Sequence, residues 1–85
     1  MTQPTTDTQP TTSLDTSGLL CPLPVYKAAL VLNGLRTGEV LELTCTDPGS
    51  LADIPALARQ RGEVLLGVEE HDATQVFWIQ KGGAT

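Results

Sequence analysis

The chain has 85 residues, ten of them acidic and five basic, and its formal net charge is −5. This length accommodates one small domain with a modest hydrophobic core. An acidic chain without a basic cluster is poorly suited to binding phosphates, so we expect no direct nucleic-acid binding. No apolar run is long enough to cross a bilayer, and the start does not resemble a secretory signal. We therefore expect a cytoplasmic protein with reduced cysteines and no membrane contact.

The first 12 residues are rich in Thr, Gln and Pro and carry no hydrophobic periodicity. A segment of this kind buries too little apolar surface to offset the entropy lost on ordering. We therefore predict a disordered N-terminal tail over residues 1–12 and a folded domain over residues 13–83.

The first half of the domain predicts a strand followed by a helix. Residues 13–16 indicate a short strand, Ser17-Gly18 a turn, and residues 22–32 a helix. The apolar side chains that recur at helical spacing are Val25, Ala28, Ala29 and Leu32. Asn33-Gly34 tolerates a left-handed cap, so the helix is expected to stop there.

The second half predicts a strand, a second helix and a closing hairpin. Residues 39–46 alternate, with Leu41, Leu43 and Cys45 on the core face. A helix is expected over residues 53–61, with Asp53 as N-cap, Pro55 in the first turn and Gly62 after its end. The strands at residues 63–70 and 74–81, joined by a tight connection at 71–73, are expected to form the hairpin. Phe77 and Trp78 are adjacent on the last strand and should face opposite sides.

The order of these elements is strand, helix, strand, helix, strand, strand. In so short a chain it favours an α+β fold, a two-layer α/β sandwich. We expect a four-stranded mixed sheet with both helices on one face.

Cys21 is the strongest candidate for a chemical role, because it immediately precedes Pro22 and Pro24, which mark the start of the first predicted helix. Proline fits the first turn of a helix, where main-chain N–H groups lack partners within the helix. A thiol at a helix N-terminus experiences partial positive charge, which favours the thiolate. We therefore interpret Cys21 as a presented nucleophile.

The remaining candidates have structural alternatives. Cys45 falls on the core face of its strand and is interpreted as a core thiol. Lys27 either steers an acidic partner or belongs to a solvated helix face. Asp47 and Asp53 fit turn and cap positions, although Asp53 is also a candidate general base. The cysteines and the single His71 lack metal-ligand spacing, so we expect no metal.

The chain contains several short motifs in a defined order: Leu14-Asp15, Gly18-Leu19, Cys21-Pro22-Leu23-Pro24, Gly38-Glu39, Asp47-Pro48, Asp53-Ile54-Pro55 and a closing segment with Lys81. In these motifs the chain resembles the TusA/SirA family of small sulfur-carrier proteins, from about Leu14 to Gly83. The sequence departs from the family pattern at Leu23, where several relatives carry a charged residue, and in the sparse basic character of its first helix.

The resemblance implies that Cys21 accepts sulfane sulfur as a persulfide and passes it on, without a bound cofactor. It implies a protein donor, either a cysteine desulfurase or a rhodanese-like protein, and a protein acceptor. Acceptors in the family lead to tRNA thiolation, sulfur oxidation or molybdenum-cofactor assembly. We expect a monomer when the carrier is free, with Pro22, Pro24, Lys27, Asp47 and Asp53 supporting the sulfur or facing partners.

Two other functions remain open at this point. One is a non-catalytic interaction or regulatory module in which Cys21 only packs. The other is a thiol–disulfide redox protein that uses Cys21 and Cys45, which the inward position of Cys45 disfavours.

Overall fold

The computed structural model describes residues 10–83. In chain order, its elements are β1 (Thr12–Thr16), α1 (Leu23–Asn33), β2 (Val40–Cys45), α2 (Ser50–Arg61), β3 (Val64–His71) and β4 (Thr74–Gln80). The predicted order of strands and helices is confirmed. Most of the predicted tail lies outside the described residues, so its disorder stays a prediction. Thr12, the last residue of that tail, is the first residue of β1.

The four strands form one mixed sheet in the order β1-β2-β4-β3. Strands β1 and β2 are parallel, whereas β4 pairs antiparallel with both β2 and β3. A parallel pair requires a crossover connection, and α1 supplies it between β1 and β2. Both helices contribute to a single buried cluster with the strands. The predicted α+β fold with a four-stranded mixed sheet is therefore confirmed.

The core lies between the helices and one face of the sheet. On β2, Leu41, Leu43 and Cys45 are fully buried, as the alternation predicted. They face the helices together with Phe77 and Ile79 of β4. The helices contribute Ala28, Leu32, Ile54, Leu57 and Ala58 to the same cluster. Because the parallel strands β1 and β2 end side by side and each is followed by a helix, both helices begin near the same edge of the sheet.

The opposite face of the sheet is not covered by the helices. Trp78 lies on this face, where its Nε1–H donates to Glu42 Oε2 at 3.1 Å. Its neighbour Phe77 is fully buried in the core. The prediction that these two aromatic side chains face opposite sides is confirmed.

Helix α2 begins earlier than predicted. It starts at Ser50 after the N-cap Gly49, so Asp53 lies in the first turn and Pro55 in the helix interior. The reason is the turn before it: Asp47 Oδ1 accepts the Gly49 N–H at 3.0 Å, and the Asp47 carbonyl accepts the Ser50 N–H at 2.9 Å. These bonds start the helix at Ser50, so the prediction of Asp53 as N-cap is wrong.

The two helices also end in different backbone conformations. Gly62 adopts a left-handed φ of 77° after α2, as expected, whereas Gly34 after α1 keeps a φ of −91°. The end of α1 is stabilised differently, because Lys81 Nζ donates to the Leu32 carbonyl oxygen at 2.7 Å. Neither α1 nor α2, the helices described within residues 10–83, is long and apolar enough to cross a membrane.

Candidate functional site

Cys21 lies in the loop between β1 and α1, directly before the α1 N-cap Pro22, and its side chain is half-buried. Two main-chain hydrogen bonds shape this loop. The Leu19 N–H donates to the Thr16 carbonyl at 3.1 Å, and the Leu23 N–H donates to the Leu20 carbonyl at 2.9 Å. The end of a sheet strand and the start of a helix therefore position the sulfur together.

The first turn of α1 has few main-chain donors to offer the sulfur. Pro22 and Pro24 lack an N–H group. The Leu23 N–H is already bonded to Leu20, and the Val25 N–H donates to the Pro22 carbonyl at 3.0 Å. Because unpaired N–H groups carry much of the positive end of a helix dipole, this helix start stabilises a thiolate less than its position suggested.

Asp47 holds the main chain of the Cys21 loop. Its Oδ2 accepts the Cys21 N–H at 2.6 Å while its Oδ1 accepts the Gly49 N–H. These two main-chain hydrogen bonds hold the pKa of Asp47 below its ordinary value. The carboxylate thus ties the start of α1 to the start of α2.

Gln75 on β4 supports the turn that contains Asp47. Its side chain is buried. With the amide oriented so that both ends are satisfied, its nitrogen donates to the carbonyl oxygens of Asp47 and Cys45 at 3.2 and 3.1 Å. The sheet therefore fixes the turn at Asp47, and the Asp47 side chain in turn binds the main chain of Cys21.

Asp53 contacts the sulfur itself. From the first turn of α2, its Oδ2 accepts a hydrogen bond from the Cys21 thiol. This hydrogen bond, followed by burial and the negative charges of Asp53 and Asp47, raises the pKa of Cys21 from 9.0 to about 11. A carboxylate beside a thiol stabilises the protonated form, so the thiolate expected from the helix start is not favoured here. That prediction is wrong for the chain by itself.

A groove runs between α1 and α2 next to this pair, with a volume of about 330 Å³. Its lining consists of Pro22, Val25, Tyr26, Asp53, Ala56, Leu57 and Gln60. Asp53 is the charged member of this lining, and most of the other side chains are apolar. Around the sulfur the surface is also apolar, since Leu20 is 72% and Tyr26 is 61% exposed.

The structure brings some of the sequence candidates together and leaves others apart. Cys21, Asp47 and Asp53 share hydrogen bonds, and Pro22 lines the groove beside them. Pro24 is buried in α1. Lys27 is exposed on α1 and is not part of the groove lining.

Cys45 is a core residue, as predicted. Its side chain is 0% exposed, and its sulfur accepts the Thr16 hydroxyl at 3.4 Å. Both cysteines are free thiols. Among residues 10–83, no cluster of three or more His, Cys, Asp or Glu side chains could hold a metal ion.

The family model described as "Sulfurtransferase TusA" matches residues 12–81, which include the whole hydrogen-bonded cluster around Cys21. The chain belongs to the TusA family. It is therefore a sulfur carrier protein of this family, whose members relay sulfur between proteins.

Individual relatives agree with this assignment. The sulfur carrier protein TusA of Allochromatium vinosum is 44% identical over 68 residues, which cover 80% of this chain and 90% of the relative. TusA of Pseudomonas putida is 37% identical over 76 residues, covering 89% and 95% of the two chains. A solved SirA-like protein from Desulfitobacterium hafniense superposes with a TM-score of 0.75 at 25% identity, covering 84% of this chain and 97% of that one.

Some TusA-family relatives are longer than this chain. A putative sulfur carrier protein of Bacillus subtilis, YrkF, is 41% identical over 70 residues, but these make up only 38% of its length. In such relatives the matched unit is one part of a larger protein.

Neither the groove nor the support from Gln75 is indicated by the sequence. The groove residues Tyr26, Ala56 and Gln60 come from two helices, and nothing in their local pattern indicates that they meet. Gln75 alternates like any other strand residue. Asp53 was found as a candidate, but its contact with the thiol was not, because 32 positions separate it from Cys21.

Proposed function

We propose that Cys21 carries sulfane sulfur as a persulfide and relays it from a donor protein to an acceptor protein. The observation that carries this proposal is the placement of Cys21: its sulfur lies half-buried at a loop–helix junction beside an open groove. Cys45, by contrast, is enclosed by the core. A sulfur that must be reached by two partners in turn needs the first of these environments.

The loading reaction conserves sulfur and electrons. The Cys21 thiolate attacks the outer sulfur of a donor persulfide, and a new S–S bond forms as the S–S bond of the donor breaks. The electron pair leaves with the cysteine of the donor, which takes up a proton. Unloading is the reverse type of step: an acceptor thiolate attacks the outer sulfur, and Cys21 leaves as the thiolate. No external oxidant or reductant is consumed.

We infer that the donor is a cysteine desulfurase or a rhodanese-like protein, as the family resemblance implies. The acceptor belongs to a pathway of tRNA thiolation, sulfur oxidation or cofactor assembly. The net charge of −5 opposes direct contact with RNA, so any tRNA pathway would be reached through proteins. Free thiols suit a reducing compartment such as the cytoplasm.

The test is the intact mass of the protein after incubation with a desulfurase and cysteine, or with polysulfide. We expect the mass of one or more sulfur atoms to be added to the wild type and removed by dithiothreitol. Cys21→Ser should gain none. If neither source loads the wild type while its thiols are free, the persulfide function is excluded and an interaction module becomes the better account.

A further inference from the structure

We propose that a partner protein inserts a lysine or arginine side chain into the groove between α1 and α2, where the cation pairs with Asp53 and frees the Cys21 thiolate. This inference rests on the proposed carrier function and describes how partners activate the sulfur. It assigns the groove an occupant of defined chemistry, a long basic side chain.

The shape and polarity of the groove fit such a side chain. Ligand pockets commonly occupy about 300–1,000 Å³, and this groove, at about 330 Å³, is at the small end of that range. Val25, Tyr26 and Leu57 provide apolar wall, against which lysine and arginine pack their aliphatic stems. The Asp53 carboxylate in the same lining provides a counter-charge for the head group.

The groups that face the sulfur explain why a cation is required. Asp53 from α2 accepts a hydrogen bond from the thiol, Asp47 lies in the loop before α2, and the Cys45 thiol lies on β2. The two carboxylates oppose a negative charge on Cys21. Within residues 10–83, no ion pair joins Asp53 to a basic side chain. The chain by itself therefore holds Cys21 as a thiol at neutral pH.

A cation bound to Asp53 reverses this balance. The positive charge offsets the carboxylate and competes for the oxygen that accepts the thiol proton, so the proton passes to water and the thiolate remains. Cys21 then attacks the donor persulfide while the partner is docked. Between encounters, the protonated thiol is protected from other electrophiles, because the thiolate is the reactive species.

The test uses small symmetrical disulfides that differ in charge. The Cys21 thiolate attacks one sulfur of the probe, forming a mixed disulfide and releasing the other half as a thiolate. Cystamine carries an ammonium group beside each sulfur, and 2-hydroxyethyl disulfide is the neutral counterpart. The measured quantity is the ratio of their rates with Cys21, at low ionic strength and pH 7.5, with adducts identified by mass.

We expect this cystamine preference to fall about two- to fivefold in Asp53→Asn, the size of a single exposed ion pair, and to shrink for wild type in high salt. Glu70→Gln is the matched control, because it removes the same charge from an exposed position on β3. It should keep the wild-type ratio. Equal ratios in wild type and Asp53→Asn would overturn the proposal, even if persulfide loading on Cys21 is normal.

A second pair of variants places the cation in the chain itself. Ala56 lines the groove one helical turn after Asp53, so Ala56→Lys puts an ammonium group within reach of that carboxylate. We expect Ala56→Lys to react with the neutral disulfide several-fold faster than Ala56→Gln, which has a long side chain without charge. Equal rates in these two variants would also count against the proposal.

Discussion

Cys21 and Cys45 carry the same functional group in two different surroundings. Cys45 is fully enclosed by β-sheet and helices, and its sulfur accepts the Thr16 hydroxyl. Cys21 is half-buried beside a groove, and its thiol donates to Asp53. The comparison teaches that access, rather than an unusually acidic thiol, distinguishes Cys21, the proposed carrier cysteine. Our proposal leaves the lowering of its pKa to a bound partner.

The largest expected difference between the two cysteines concerns sulfur loading. Cys21→Ser should abolish the mass gain from a desulfurase and cysteine, whereas Cys45→Ser should retain it, because no partner sulfur can reach the buried position. Intact mass measures both variants. Loss of loading in a folded Cys45→Ser protein would show that Cys45 takes part in loading. It would contradict the distinction between an accessible and a buried cysteine.

The next difference concerns pH. Because the pKa of Cys21 is raised to about 11, its alkylation rate should rise about tenfold per pH unit through the neutral range and level off only above pH 11. Asp53→Asn should move the midpoint down towards 9.0, the unperturbed value. The lower pKa gives about a hundredfold more thiolate, but each thiolate is about tenfold less nucleophilic, so the net gain at pH 7.5 is about tenfold.

Iodoacetamide labelling followed by mass spectrometry measures these profiles, with Cys21→Ser as the background. The Glu70→Gln variant serves again as the charge control. A midpoint near 9.0 in the wild type would mean that Asp53 does not hold the thiol proton.

A third prediction concerns the stability of the fold. Cys45→Ala removes a fully buried sulfur and should lower the free energy of unfolding by about 1–2 kcal/mol through the cavity it leaves. Cys21→Ala removes a half-buried side chain and should change it by about 0.5 kcal/mol or less. Urea unfolding followed by circular dichroism gives both values. Equal losses would contradict the division into a core and a presented cysteine.

The last expected effect concerns Asp47. Asp47→Ala removes the acceptor of the Cys21 and Gly49 N–H groups and should lower the free energy of unfolding by about 1 kcal/mol, as loss of a helix-start cap does. Urea unfolding measures it against Asp53→Asn, which keeps a hydrogen-bonding side chain and should cost less. A larger loss in Asp53→Asn would mean that Asp53, and not Asp47, holds the start of α2.

Much of the fold could be predicted from local patterns. The alternation in β2 placed Leu41, Leu43 and Cys45 in the core, and the adjacent Phe77 and Trp78 were correctly assigned to opposite faces. These patterns report directly on burial, because strand side chains alternate between two sides. The start of α2 could not be decided in this way, since both Asp47 and Asp53 precede helical residues.

The sequence named Cys21, Asp47 and Asp53 as candidates but did not indicate how they meet. The position of Cys21 before two prolines identified it, but the same prolines remove N–H groups that would have stabilised a thiolate. The decisive contact, from Asp53, comes from another helix and depends on how α1 and α2 pack. Single-sequence patterns do not contain that packing, and the groove between the helices was missed for the same reason.

The most direct test of the account is to locate the carried sulfur in the loaded protein. Radiolabelled sulfur is transferred from cysteine by a desulfurase, the donor is removed, and the chain is digested and mapped. The account predicts label in the peptide that contains Cys21, as a persulfide released by dithiothreitol. Label on the Cys45 peptide, or label that dithiothreitol does not release, would contradict it.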